Sequence, residues 1–134
     1  EIAKIADKRT VRMVDHYTAL TPVNDGFEVG MTYANYNINV YTKNPQRYIQ
    51  ELAEYQAAAN QNGFEDVTLG AFEINSGDYT GQIMVVIQAP TAVRLGEFFD
   101  AGEEAWNVAA SAKFPKLRKL KRGFLMTCEI VYAR

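Results

Sequence analysis

The most regular alternation of polar and apolar positions runs Asn35-Tyr36-Asn37-Ile38-Asn39-Val40-Tyr41. Asn35, Asn37 and Asn39 fall on one side, and Tyr36, Ile38 and Val40 on the other. Successive side chains of a strand point to opposite faces, so this period of two predicts a strand over residues 31–42 with one buried face and one row of amides. Asparagine is depleted in strands and unfavourable to bury without partners, which sets the row apart from an ordinary strand face.

The flanking patterns supply the remaining elements. Asn44-Pro45 predicts a helix start, an N-cap followed by proline in the first turn. Tyr48, Ile49, Leu52, Ala53, Gln56 and Ala59 follow at helical spacing, with Glu51 and Glu54 outward, and Asn62-Gly63 is the stop. Residues 64–75 read as a strand with Val67, Leu69 and Ala71 on one face and Thr68, Gly70 and Phe72 on the other. After the turn Asn75-Ser76-Gly77-Asp78, the near-continuous apolar run 82–88 reads as a central strand, and the short connection predicts a hairpin.

Thr91 caps a predicted second helix whose stripe is Leu95, Phe98, Phe99, Gly102, Trp106 and Ala109, ending at Phe114-Pro115. Gly102 inside that stripe is read as a close-packing position and Trp106 as core. Residues 116–122 form a basic connector to a last strand over 123–133. Its more apolar side, Phe124, Met126, Cys128 and Ile130, is expected beneath the helices, with Leu125, Thr127, Glu129 and Val131 opposite. Residues 1–30 carry little period. A short helix start over 1–6 and a turn over 22–26 mark them as an N-terminal arm or extra strand.

The order strand–helix–strand–strand–helix–strand predicts an α+β fold of the ferredoxin-like βαββαβ kind over residues 31–134. Right-handed crossovers then give a four-stranded antiparallel sheet with both helices on one face. The other face is expected to carry Asn35, Asn37, Asn39, Tyr41, Phe72, Met84, Val86, Gln88, Leu125, Thr127 and Glu129. About half of that set is apolar, so in water it would be an interface or a ligand site.

Composition narrows the function classes. With 134 residues the chain suits one domain, and a net charge of −2 provides no global positive field for nucleic acid or an anionic membrane. No apolar run approaches the roughly 20 residues that span a bilayer. Cys128 is the one cysteine and no Cys/His cluster exists, so no metal and no cofactor are expected. The third strand has no aromatics for stacking bases, which argues against RNA. Lys113, Lys116, Arg118, Lys119, Lys121 and Arg122 are read as a solvated connector beside the acidic second helix. A cytoplasmic location is the expectation, with a processed leader ahead of Glu1 as the alternative.

The stretch Gly96-Glu97-Phe98-Phe99-Asp100-Ala101-Gly102-Glu103-Glu104-Ala105-Trp106, with Ser111-Ala112-Lys113-Phe114 after it, resembles the dimeric α/β-barrel superfamily. The antibiotic-biosynthesis-monooxygenase-like and NIPSNAP-like members share such a helix and ending, and the element order over 31–133 agrees. The resemblance implies protomers packed sheet to sheet around a cavity. It also implies activities such as cofactor-independent monooxygenase or isomerase. Haem-degrading members pair a first-strand Asn with a Trp and a His near the second helix. Asn35 or Asn37 matches the first, but Trp106 lies in the helical stripe and the one histidine, His16, lies in the arm, so haem is not expected.

The candidate catalytic pair is Asn37, a donor to a substrate carbonyl or enolate, and Glu129, a general base between Leu125 and Val131. Asn35, Asn39, Tyr41, Phe72, Met84 and Thr127 are the candidate ligand-binding residues, for a small apolar or aromatic molecule in a homodimer closed through the sheet face. The competing expectation is a non-enzymatic binding or assembly module whose sheet face is only an oligomer interface, with the amides bonded across the seam. Asp15-His16-Tyr17 sets an acid beside a base in the arm, and Cys128 is read as inert core.

Overall fold

The computed structural model describes residues 16–22 and 28–131. In chain order its elements are β1 (Tyr17–Ala19), β2 (Thr32–Tyr41), α1 (Pro45–Gln61), β3 (Thr68–Ile74), β4 (Ile83–Ala89), α2 (Ala92–Asp100), α3 (Ala105–Ser111), α4 (Phe114–Leu117) and β5 (Lys119–Glu129). The sheet is antiparallel in the order β1-β3-β4-β2-β5. Strands β2 to β5 make the ferredoxin-like arrangement, and β1 adds a fifth strand by pairing Tyr17 with Ile74 and Ala19 with Phe72. The helix start expected over 1–6 and most of the turn over 22–26 lie outside the described residues.

Local chemistry places the helices. Asn44 Oδ1 accepts from the Arg47 amide at 3.1 Å, Pro45 follows in the first turn, and Gly63 takes the left-handed conformation (φ +83°) just past the end of α1. Thr91 Oγ1 accepts from the Arg94 amide at 3.1 Å in the same way. The second helix does not run through as one stripe. It breaks after Asp100 into a tight turn over Ala101–Glu103 and restarts as α3 from an extended Glu104, whose carboxylate accepts from Trp106 Nε1 at 2.6 Å. Gly102 lies in that turn, where an added Cβ would meet nothing within 4 Å. Its role is therefore the weak helix propensity that lets the stripe break, not close packing.

The core lies between the sheet and the helices. Ile38, Val40, Val67, Ala71, Val85 and Ile87 meet Tyr48, Leu52, Tyr55, Leu95, Phe98 and Phe114. The rings pack edge to face, with Phe64–Phe98 at 5.2 Å, Tyr48–Phe114 at 5.8 Å and Tyr55–Phe98 at 6.1 Å between centroids. Two hydroxyls are buried with them. Tyr55 donates to Asn107 Oδ1 at 3.0 Å, and Tyr48 accepts from Arg118 at 2.7 Å. Desolvation raises the pKa of both phenols above the usual value near 10, in Tyr48 against the opposing charge and hydrogen bond of Arg118. A raised folded-state value means that the unfolded chain ionises first. Stability should therefore hold below pH 10 and fall as the pH climbs beyond it. Urea unfolding midpoints between pH 8 and 11 measure this, and a flat profile would contradict the burial of these phenols.

Gln56 on α1 does strand work at the edge of β3. Its side-chain amide donates to the Val67 carbonyl at 2.8 Å and accepts from the Leu69 amide at 2.7 Å. It thereby satisfies the part of the β3 edge that short β1 does not reach, where an unpaired edge would invite foreign strands.

Strand β5 departs from expectation in phase. It begins at Lys119, so the last four residues of the predicted connector are strand. A bulge shifts its register against β2, between Asn39↔Arg122 and Val40↔Leu120. Gly123 pairs with Ile38, and the Tyr36 hydroxyl occupies the space that a Cβ on Gly123 would need. Tyr36 points to the helices, where its ring meets Phe99 edge to face at 5.3 Å. Gly123, Leu125, Thr127 and Glu129 therefore share the helix side, and Arg122, Phe124, Met126 and Cys128 the open side. This reverses the expected assignment of both sets. The physical reason is that β5 is an edge strand beyond the reach of α2, so Leu125 stays 69% exposed on the helix side. Core burial does not dictate its phase.

Candidate functional site

The amide row sits at the bottom of a trough. Asn35 pairs across β2 with Gln88 and Met126, Asn37 with Val86 and Phe124, and Asn39 with Met84 and Arg122. Each short asparagine is thus flanked by longer side chains from β4 and β5. Although no helix or strand of the described residues lies over this face, Asn35, Asn37 and Asn39 are 9%, 4% and 4% exposed. Asn37 Nδ2 donates to Met126 Sδ at 2.9 Å, and Asn35 Nδ2 donates to Cys128 Sγ at 3.4 Å. Sulfur is a weak acceptor. Cys128 is accordingly a half-buried wall of the open face and not inert core.

The carbonyl ends of the same amides have no partner. Among the described residues, the fully buried side-chain oxygens without a hydrogen bond are Asn35, Asn37 and Asn39 Oδ1 and Gln82 Oε1. A buried acceptor left unpaired is worth about 1–3 kcal/mol of lost stability. Three of these four oxygens stand two residues apart on one strand face, which local packing alone does not explain.

Above the row lies an open groove of about 600 Å³ whose walls include Asn35, Asn37, Phe72, Met84, Val86 and Met126. Beside its Asn37 end, one residue pair further along β2, lies a smaller pocket of about 80 Å³, lined by Asn39, Arg122, Phe124, Tyr79, Tyr17 and Asp78, with Met84 lining both. The Arg122 guanidinium is 4.7 Å from the centre of the Phe124 ring and 5.5 Å from that of Tyr79, and it donates to the Tyr79 hydroxyl at 3.4 Å. A separate groove of about 420 Å³ lies on the helix side, between α2 and β5.

Of the residues expected at a site, Asn35, Asn37, Asn39, Phe72 and Met84 gather on the open face. Tyr41 lies at the exposed end of β2, outside the lining of either cavity. Thr127 and Glu129 stand on the helix side of β5, so Asn37 and Glu129 are not brought together. His16 is exposed beside β1, its backbone amide donating to Ser76 Oγ at 2.6 Å, and it lines neither cavity. Among the residues that sequence reasoning did not assign to the face are Arg122, Phe124, Met126, Cys128 and Tyr79. The signal for the first four was the glycine at 123, whose missing side chain fixes the phase of β5. Glu51, expected outward, is buried between Arg47 and Lys113 and belongs to the packing of α1. Among the described residues no group of three or more His, Cys, Asp or Glu is placed to hold a metal ion, and no helix is long and apolar enough to cross a membrane.

No protein-family model and no curated protein matches the chain. Two solved structures align over 77% of this chain and 100% of their own. One is a conserved protein of unknown function from Bacteroides thetaiotaomicron, described as a possible oxidoreductase, with 18% identity and a TM-score of 0.44. The other is a dimeric protein of unknown function and ferredoxin-like fold from Bacteroides fragilis, with 8% identity and a TM-score of 0.44. At these scores the likeness fixes nothing about the chemistry or assembly of this chain.

Proposed function

We propose that the open sheet face is a small-molecule binding cavity, closed by a second copy of the chain packed sheet to sheet as in the dimeric α/β-barrel superfamily that its element order resembles. The observation that carries this reading is the row of buried, unpartnered carbonyls beneath a groove of about 600 Å³. Such oxygens call for N–H or O–H donors, and Met84, Val86 and Met126 offer an apolar wall for the body of a ligand. The more apolar side of β5 also faces this groove instead of the helices, which suits a face that is covered in use. The reading is one of binding and not of turnover, because the carboxylate expected beside Asn37 stands on the other side of the sheet.

Two measurements test it. Light scattering should give a dimer for the native chain and a monomer for Val86→Lys, which sets a charge at the centre of the face; a monomeric native chain would overturn the closure. Asn37→Ala should weaken the binding of a neutral apolar dye such as Nile red while moving the unfolding midpoint little. Equal loss of both would favour the second reading, an assembly face with no ligand, in which the carbonyls find their donors across the seam.

A further inference from the structure

Resting on that reading, we infer that the small pocket at Asn39, beside the groove, is a carboxylate anchor, and that the ligand is an aryl or alkyl carboxylate with an O–H or N–H donor in its body. Three donors converge on the small pocket. Among the described residues Arg122 has no carboxylate within ion-pairing distance, and its only hydrogen bond with them is the long one to Tyr79. The rings of Phe124 and Tyr79 hold its planar fork in place, which removes part of the entropy that a flexible arginine loses on binding. The Tyr79 hydroxyl accepts from Arg122 and keeps its own hydrogen to donate. Asn39 is 4% exposed, and its side chain makes no hydrogen bond with any described residue, so its amide is available in either orientation. A guanidinium fork with two neutral donors is the arrangement that binds a carboxylate in bidentate fashion.

Size and spacing define the rest of the molecule. About 80 Å³ admits a carboxylate head and little more, and Met84, which walls both cavities, leads the body into the larger groove. Asn37 lies two strand residues from Asn39, or about 7 Å along the face. The ligand should therefore carry a donor for Asn37 Oδ1 at about that distance from its carboxylate. Asp78 also lines the small pocket and opposes an anion there. It makes no ion pair with any described residue, and its charge subtracts from the affinity.

The probes are 4-hydroxyphenylacetate and its neutral counterpart 4-hydroxyphenylacetamide, titrated into ¹⁵N-labelled native chain, Arg122→Met and Asp78→Asn while the side-chain amide signals of Asn35, Asn37 and Asn39 are followed. The acid should bind the native chain about tenfold more tightly than the amide, the size of a charge-assisted contact. Arg122→Met should reduce that ratio to about twofold or less, and Asp78→Asn should tighten the acid alone. Phenyl phosphate reports on the anchor's shape, and tighter binding of that dianion than of the acid would overturn the carboxylate assignment. If acid and amide bind the native chain equally and both move the Asn37 signal, the anchor is wrong and the cavity stands. If neither moves any of the three amide signals, both fall together.

Discussion

Replacing Asn35 and Asn37 together by valine should make this chain more stable, by about 2–4 kcal/mol, and should abolish binding in the groove. Both side chains are more than nine-tenths buried, and both carbonyl oxygens lack a partner. The bonds lost are the two amide contacts to Cys128 and Met126 sulfurs, which are weak. What is gained is relief of two desolvated acceptors, together with the preference of a pleated surface for β-branched residues. Valine is close to asparagine in size, so the trough keeps its depth and no cavity opens. Thermal unfolding at one fixed protein concentration measures the effect, expected as a rise of several degrees.

The sign of that shift separates the two uses of the face. If the carbonyls accept hydrogen bonds across a dimer seam, the double substitution removes those bonds, lowers the melting temperature and dissociates the dimer. If they wait for a ligand, the free protein carries their burden alone and improves when they go. Residues that lower stability in the resting state are expected where binding requires them.

Much of this was legible in the chain itself. The one-to-one alternation of Asn35 to Val40 fixed which side of β2 is core, and Ile38 and Val40 are 6% and 0% exposed. Asn44 and Thr91 announced both helix starts because a capping side chain is a local interaction. The phase of β5 was not legible from pattern, since both of its sides carry apolar residues and a one-residue shift exchanges them. Only the meeting of Gly123 with Tyr36, two residues far apart in sequence, decides it. That error also hid Arg122, which reads as part of a basic run but sits across from Asn39. Glu51 misled for a different reason: charged residues on a helix face are read as outward, and the partner that lets Glu51 turn inward, Lys113, comes from the turn between α3 and α4. Long-range pairing of this kind leaves no periodic trace.

That buried carboxylate gives the other large effect expected of a substitution. Removing both cations around it, in Arg47→Ala with Lys113→Ala, should leave the Glu51 carboxylate unpaired and destabilise the fold by about 3–5 kcal/mol. The Glu51 side chain is 2% exposed, held by Arg47 one turn earlier on α1 and by Lys113 Nζ at 2.9 Å. Lys113 also reaches Glu54 at 3.3 Å, and its hydrogen bond to Glu51 is the main reason that its pKa stands above the usual lysine value. Either single substitution leaves one cation in place and should be milder. Adding Glu51→Met to the double variant should recover most of the loss, because a methionine of similar length needs neither partner. Urea midpoints of the native chain and these four variants decide the cause. Failure of Glu51→Met to rescue would show that the loss comes from the aliphatic stems of Arg47 and Lys113 packing on α1, and not from a stranded charge. The groove on the far side of the sheet touches none of these residues, so probe binding, measured at a temperature at which circular dichroism finds the double variant folded, should match that of the native chain.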